Sequence, residues 1–405
     1  MWKPKSLIDT LVPIYILHVL FCHGVIQHPN INKSKINYSF LWSIVSTILY
    51  CACFISVFWL RINPSWYSEG PKVTYMILII AVFFTMNVNS VVSWIYKNEI
   101  LILNSKLMKS DELLKNLGVS INIQREFALS MKFAVGWFIY SFYINAVAII
   151  WYDKSFGLLN VFMTVFTFHH GFHVNCIVDL TFFLLIIHMK ARFEGINKFL
   201  SDLFNLQSKN LLQNVEAYHK WAISRQTNFE NDFTLTFRNI KRIHLELKIL
   251  CNEIMKIYGF SISLMILTMF FLVIVQIFNI YTAIINTEVK LSDKSLQLFS
   301  MSSWVLIALL KFFSVNYACA EAINEWNKTG EIIHMLEIDS EDSKFQREIQ
   351  KFSIQILQNP LKFTPCGFLD LDYYFIKDFA GSVMAELVLL IQTTSSDNSS
   401  SQRKD

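Results

Sequence analysis

Seven long apolar stretches, at about 40–60, 73–95, 131–151, 160–189, 257–284, 296–320 and 367–392, decide what this chain can become. Each is near the ~20 residues a helix needs to cross ~30 Å of hydrocarbon. Backbone groups find no water in lipid, so a spanning segment must satisfy its own hydrogen bonds as a helix. The expectation is an all-α integral membrane protein with seven transmembrane helices. Composition supports it: 54% of residues are hydrophobic and only 16% are charged, against about a quarter charged in soluble domains.

An earlier apolar segment, residues 7–26, is broken by Asp9, Pro13, His18 and His23. It could span, re-enter or lie at the interface, and it reads best as a membrane-associated helix at the inner face. Without a small-residue cleavage site it is no cleavable signal peptide.

Basic residues set the orientation. Of the 35 Lys and Arg, 25 fall in one set of loops and seven in the other. Positive loops stay in the cytoplasm, which places the amino terminus inside and the carboxyl terminus outside, opposite to a G-protein-coupled receptor. The sequons at Asn32, Asn37 and Asn327 would then be cytoplasmic and unused, and the one at Asn398 lies close to the chain end.

This ordering divides the chain into a cytoplasmic amino-terminal segment (1–39), transmembrane helices 1–4 (40–189), a cytoplasmic helical extension (190–256), helices 5–6 (257–320), a cytoplasmic helical anchor (321–366), a seventh helix (367–392) and an extracellular tail (393–405). The extension is too long for an ordinary loop. Within it Ile243, Leu247, Leu250, Ile254 and Ile257 repeat at helical spacing, an amphipathic helix running into the fifth span. Residues 331–358 offer a second such stretch, with Ile349, Phe352, Ile356 and Leu357 on its apolar face, stopped by Pro360 and Pro365.

Several function classes drop out. A net charge of +4, with no basic run interleaved with aromatics, argues against nucleic acid as a partner. Seven cysteines, an odd number set mostly in apolar segments, make no disulfide framework. There is no Gly-rich phosphate loop, nucleophile elbow or zinc-protease helix, so neither an enzyme nor a cofactor is expected. His169 and His173 are one turn apart and could share a metal, but no carboxylate stands at a matching spacing, and a polar pocket wall is the preferred reading.

Binding is the better prospect. The outer halves of the spans offer Tyr75, Phe83, Tyr143, His169, Phe172, His173, Gln276, Asn279, Ser303 and Trp304. Aromatic walls with a few polar groups describe a small-molecule pocket; helix packing with paired polar groups is the alternative for each residue. Asp179, Lys311 and Glu321 sit in or at the ends of spans, where a charge at mid-membrane costs ~2.5–3.5 kcal/mol and should pair or line water. A salt bridge between Asp179 and Lys311 is expected.

The last apolar stretch carries the most information. Ser382, Ala385, Leu389 and Gln392 recur at spacings of three and four and share one helical face. A small and polar stripe on a lipid-like helix should face protein or water. Here Ala385-Glu386, five hydrophobic residues from Leu387 to Ile391, and Gln392-Thr393 follow Gly381 and the upstream run Phe363-Thr364-Pro365-Cys366-Gly367-Phe368. That frame resembles the closing motif of the insect gustatory receptors, in which a Thr-Tyr pair, five hydrophobic residues and Gln-Phe end the chain. Ala385, Glu386 and Thr393 replace the family's Thr, Tyr and Phe.

The resemblance implies a ligand-gated, non-selective cation channel in the plasma membrane of a chemosensory cell. It also implies a small-molecule tastant as ligand and a homo- or hetero-tetramer with other gustatory receptor subunits. Copies of the last helix about an axis would stack Ser382, Ala385 or Glu386, Leu389 and Gln392 as rings, with Leu389 closing by dewetting and Gln392 giving ions a polar step. Glu386 either faces that pore or pairs with a neighbouring helix, and the second is preferred because its family counterpart is a bulky aromatic. An insect odorant receptor subunit is the nearest alternative. A secondary transporter would show related halves, and none is evident.

Overall fold

The computed structural model describes residues 4, 6–21, 33–61, 70–151, 158–210, 229–285, 291–338 and 343–401, and among these there is helix and turn but no strand. In chain order the helices are α1 (Leu7–Thr10), α2 (Val12–Leu20), α3 (Lys33–Arg61), α4 (Gly70–Ile95), α5 (Lys97–Asn116) and α6 (Ile123–Trp151). They continue with α7 (Leu158–Asn210), α8 (Phe229–Ile285), α9 (Leu291–Ile338), α10 (Ser343–Gln358) and α11 (Tyr373–Ser401). Among the described residues six helices, α3, α4 and α6–α9, are long and apolar enough to cross a membrane. The seventh expected span lies in α11, whose apolar run is interrupted by Lys377, Asp378 and Glu386.

Three helices far outrun the bilayer. α7, α8 and α9 hold 53, 57 and 48 residues, some 70–85 Å each at ~1.5 Å per residue. Their surplus length, joined by α10, forms a helical layer at one end of the bundle. The expected stripe of Ile243, Leu247, Leu250, Ile254 and Ile257 is buried there, each residue at most 4% exposed. The Trp326 ring stacks on His244 at 4.1 Å and meets Phe193 edge-on, while Phe237 packs against Phe345 and Phe352 of α10. Asn197, Thr329 and His244 Nε2 link by hydrogen bonds inside this core, while Trp326 Nε1 and His244 Nδ1 have no hydrogen-bond partner.

Helix α10 buries Phe345, Ile349, Phe352 and Ile356. Leu357, placed on that face by the sequence pattern, is 70% exposed: one step beyond Ile356 turns the side chain ~100° away. Pro360 follows the helix end by two residues, and Pro365–Gly367 then form a 3-10 turn with Cys366 at φ +52° and Gly367 at φ +78°. Gly259 of α8 lies beneath that turn, where an added Cβ would stand 3.6 Å from Pro365 Cα. The last helix therefore starts at Tyr373 rather than at 367, with Asp372 accepting the Phe375 amide at 2.9 Å as its cap.

Two segments differ from the expectation. Residues 97–116, which lie between the expected spans, form α5, whose Ile100, Leu103, Leu107 and Leu114 are buried between charged neighbours. Gly118, at φ +86°, ends it, with the Val119 amide returning to the Leu114 carbonyl. One face of the amino-terminal segment packs into the bundle: Leu7, Ile8, Leu11, Ile14 and Leu17 are 0–5% exposed among α5, α6 and α7, while Ile16, Val19 and Leu20 are 52–63% exposed. It climbs antiparallel to α7, with Thr10 beside His188, His18 beside Thr181 and Phe21 stacked near His170.

Hub helix α7 contacts α3, α4, α6, α8, α9 and α2, and its polar residues His169, His173, Asn175, Asp179, Thr181, His188 and Arg192 are all buried. Between residues 167 and 193 no position of α7 is exposed, so this stretch has no lipid face on which to strand a polar group. Its neighbours bond most of them, as where Asn89 of α4 donates to Asn175 at 2.8 Å, and His188 Nδ1 is an exception.

Candidate functional site

Between α6, α7 and α9, on the side of the bundle away from α10, histidines and aromatics converge. His169 and His173 project from one face of α7, and both turn to Asn145 of α6. His169 Nδ1 lies 2.9 Å from Asn145 Oδ1, and His173 Nε2 lies 3.1 Å from Asn145 Nδ2. Ser141, one turn below Asn145, reaches His173 Nδ1 at 3.2 Å. From α9 the Trp304 indole meets His169 at 5.1 Å and Phe172 at 4.8 Å, both edge-on. Tyr143 joins α6 to α9 through Ser303, 2.9 Å between hydroxyls. Six of the expected pocket residues, Tyr143, His169, Phe172, His173, Ser303 and Trp304, thus come together.

The others do not join this group. Gln276 is buried on α8, and its Oε1 has no hydrogen-bond partner. Phe83 stacks on Phe54 at 3.9 Å in a separate cluster of α3, α4 and α7. The side chain of Tyr75 lies outside the described residues. Asn145 and Ser141 were missed by sequence reasoning; the signal was an Asn amid the apolar run of α6, where a buried amide demands a partner. Among the described residues no cluster of three or more His, Cys, Asp or Glu could hold a metal.

Beneath this group lies a buried ion pair. Lys311 Nζ on α9 sits 2.6 Å from Asp179 Oδ2 on α7, with side chains 10% and 6% exposed. Lys311 also approaches the Phe172 ring, 5.1 Å from its centroid, so one aromatic touches both the pocket tryptophan and the ion pair. The expected salt bridge is present. Glu321, lower on α9, takes Lys190 at 2.7 Å and accepts from the Tyr373 hydroxyl at 3.1 Å, tying the start of α11 to α9 and α7.

Two unlike faces run along α11. Phe379 stacks on Phe312 at 4.0 Å and meets Phe270 edge-on, and Val383 and Leu387 continue that buried side. Ser382, Ala385, Leu389 and Gln392 are exposed, Leu389 at 56%. Glu386 is also exposed and has no ion pair or hydrogen bond within the chain among the described residues. At ~100° per residue it stands ~60° from Val383 and ~40° from Ser382, at the seam between the faces.

Sequence reasoning also passed over the surroundings of His170. Tyr50 of α3, whose hydroxyl donates to the Thr167 carbonyl at 2.8 Å, lies 4.5 Å from its ring. Phe21 stacks on the other side at 5.9 Å and touches Trp137 at 4.9 Å. A cleft lined by Phe21, Tyr50, Met86 and His170 opens there.

Comparison with known proteins follows the same lines. The fold is similar to that of the insect olfactory receptor OR5 from Machilis hrabei, with a TM-score of 0.68 at 13% identity over 96% of this chain and 98% of that one. The same receptor in complex with eugenol gives 0.69 at 12% identity, with the same coverage. In sequence, gustatory receptor 28b of Drosophila melanogaster is 19% identical over 411 residues, 96% of this chain and 87% of its own length. Gustatory receptor 58b of the same organism is 23% identical over 222 residues, 53% of this chain and about half of that protein (49%). Residues 13–396 match the family described as 7tm chemosensory receptors. Nearly the whole chain carries that match, and this multi-pass membrane protein belongs to the 7tm chemosensory receptor family.

Proposed function

We propose that the chain is a gustatory receptor that works as a tastant-gated, non-selective cation channel of the plasma membrane, with copies of α11 lining the conduit. The observation that carries this is the split character of α11: one side is packed on α8 and α9, and the other leaves Ser382, Ala385, Leu389 and Gln392 uncovered. An exposed stripe of small and polar residues is poorly suited to lipid and well suited to a water-filled axis between copies. A homo- or hetero-tetramer supplies that axis. Glu386, unpaired within one chain, would meet a neighbouring copy at the seam.

The tastant would bind among Tyr143, His169, His173 and Trp304, exchanging the hydrogen bonds these groups make with Asn145, Ser141 and Ser303 for bonds to itself. It opens the channel only if it binds the open arrangement more tightly than the closed one. The bias of basic residues places the α10 layer in the cytoplasm. An odorant receptor subunit has the same fold; Gln392 in its frame and the gustatory relatives favour the gustatory reading.

Calcium imaging of cells expressing the chain, alone and with sister subunits, against a chemically broad tastant panel tests the function. Cysteines at Ser382, Ala385, Leu389 and Gln392 should become reactive to water-borne thiol reagents when the stimulus is present. Inert cysteines under an active stimulus would remove α11 from the conduction path.

A further inference from the structure

Where α5, α6 and α7 meet the amino-terminal segment, four titratable side chains are buried together: Asp111 of α5, Glu126 of α6, and His188 and Arg192 of α7, all at most 9% exposed. Arg192 grips both carboxylates, with Nε 3.0 Å from Asp111 Oδ1 and Nη1 2.5 Å from Glu126 Oε1. Asp111 also accepts the Leu7 amide at 2.8 Å, so the first turn of α1 is held by the same cluster.

Two independent counts leave this cluster one proton short. The first is charge: two carboxylates face one guanidinium, and an uncompensated buried charge is strongly unfavourable. The second is hydrogen bonding. Thr10 spends its hydroxyl proton on the Leu7 carbonyl, so its oxygen, 3.2 Å from His188 Nε2, can only accept. The neutral tautomer that gives the Thr10 oxygen a donor carries its proton on Nε2, with Ser130 Oγ also near at 3.3 Å. That leaves Nδ1 facing Glu126 Oε2 at 3.5 Å, and neither atom has a hydrogen-bond partner. Two lone pairs opposed in a buried site repel each other. A single added proton between them satisfies both atoms and brings the cluster to neutrality.

We propose that the Glu126–His188 pair is a proton-binding site: it holds one proton while the amino-terminal segment is docked, and loss of that proton loosens the segment. Charged groups on the surrounding elements are already engaged. Asp9 of α1 accepts the Ser6 amide at 3.1 Å, and Glu253 of α8 takes Lys106 at 2.5 Å. Glu321 of α9 takes Lys190, and His18 of α2 bonds Thr181 at 2.9 Å. The proton on the pair is thus the variable charge of the docking site. Because α2 ends with Phe21 against His170, Trp137 and His173, release of the segment would also withdraw a wall from the pocket histidines.

The test uses the full-length purified protein in detergent micelles and needs no tastant. Ile8→Cys reports on docking and Leu357→Cys on freely exposed thiol chemistry, each reacted with a water-soluble maleimide and read by site-resolved mass spectrometry. The ratio of the two rates should rise at least about fivefold between about pH 6 and about pH 8, as the segment opens locally. Glu126→Gln removes the carboxylate that needs the proton, and should hold the ratio flat at its low value. His188→Gln serves as the second variant if Glu126→Gln does not fold, and should also abolish the rise. A ratio independent of pH in the otherwise native chain would overturn the proposal, as would a rise that survives unchanged in the variants.

Discussion

The α10 layer and the closing helix α11 are built from neighbouring stretches of chain and are opposite in character. In the layer, Trp326, Phe193, Phe237 and Phe352 are at most 1% exposed, and the polar atoms of His244 Nε2, Thr329 and Asn197 bond one another. That core is complete within one chain. α11 is finished on one side only, by Phe379, Val383 and Leu387, and leaves Leu389 and Gln392 open. Substitutions in the layer should therefore act on folding, and those on the open face of α11 on conduction.

The largest expected effect comes from the inner cluster that anchors α5–α7. Arg192→Met strands Asp111 and Glu126 in a dry site and should destabilise by ~3–5 kcal/mol. The measurement is folded yield and thermal melting of the solubilised protein, and a near-native melt would show that the cluster is not an anchor. Trp326→Ala follows at about 3 kcal/mol by opening a cavity in the finished layer, with no change in ion selectivity among molecules that reach the surface. Should its melting stay native, the layer is less closely packed than its ring contacts indicate.

Between the two regions, Asp179→Asn should cost about 2 kcal/mol by removing a charged partner from Lys311. The exchange Asp179→Lys with Lys311→Asp should recover part of that loss in surface expression. Failure of the double variant to exceed the single ones would deny the pair its coupling.

Glu348 offers a smaller, pH-dependent effect. Its hydrogen bond to Lys241, at 2.6 Å and aided by Lys351, outweighs partial burial and lowers its carboxyl to about 2. A carboxylate depressed in the folded state stabilises above its unfolded value, near ~4.3, and loses that contribution as pH falls toward 2. Glu348→Gln should cost about 1 kcal/mol near neutrality, and the difference from the native chain should shrink as the pH drops below ~4. A gap in melting temperature that persists at low pH would contradict the sign.

Leu389→Ala should be the mildest in folding, under ~0.5 kcal/mol because its site is exposed. It should nevertheless raise current in the absence of stimulus, measured as holding current in expressing cells. A native holding current would remove Leu389 from the proposed gate.

Legibility tracked how strongly each segment repeats. The stripe from Ile243 to Ile257 and the apolar spans were readable because periodic burial leaves periodic sequence. α5 was not, since its four buried apolar positions are diluted by Lys106, Lys109, Glu112 and Lys115 on the solvent side. Asp179 with Lys311 could be paired from sequence because two opposite charges in lipid have few other remedies. Asn145 could not be assigned to His169 and His173, for an amide accepts many partners and spacing on one helix is silent about the next.

By itself the sequence determined that the chain is helical and lies in a membrane, since no other arrangement satisfies so many backbone groups among so many apolar side chains. It also determined that α11 has one small and polar face. Only the tertiary structure decided that α1 and α2 enter the bundle, that Thr10 and Ser130 meet at His188, and that one guanidinium serves two carboxylates. Those outcomes depend on which helices become neighbours, and neighbourhood is set by how ridges and side-chain volumes fit across helices, not by the period within any one of them.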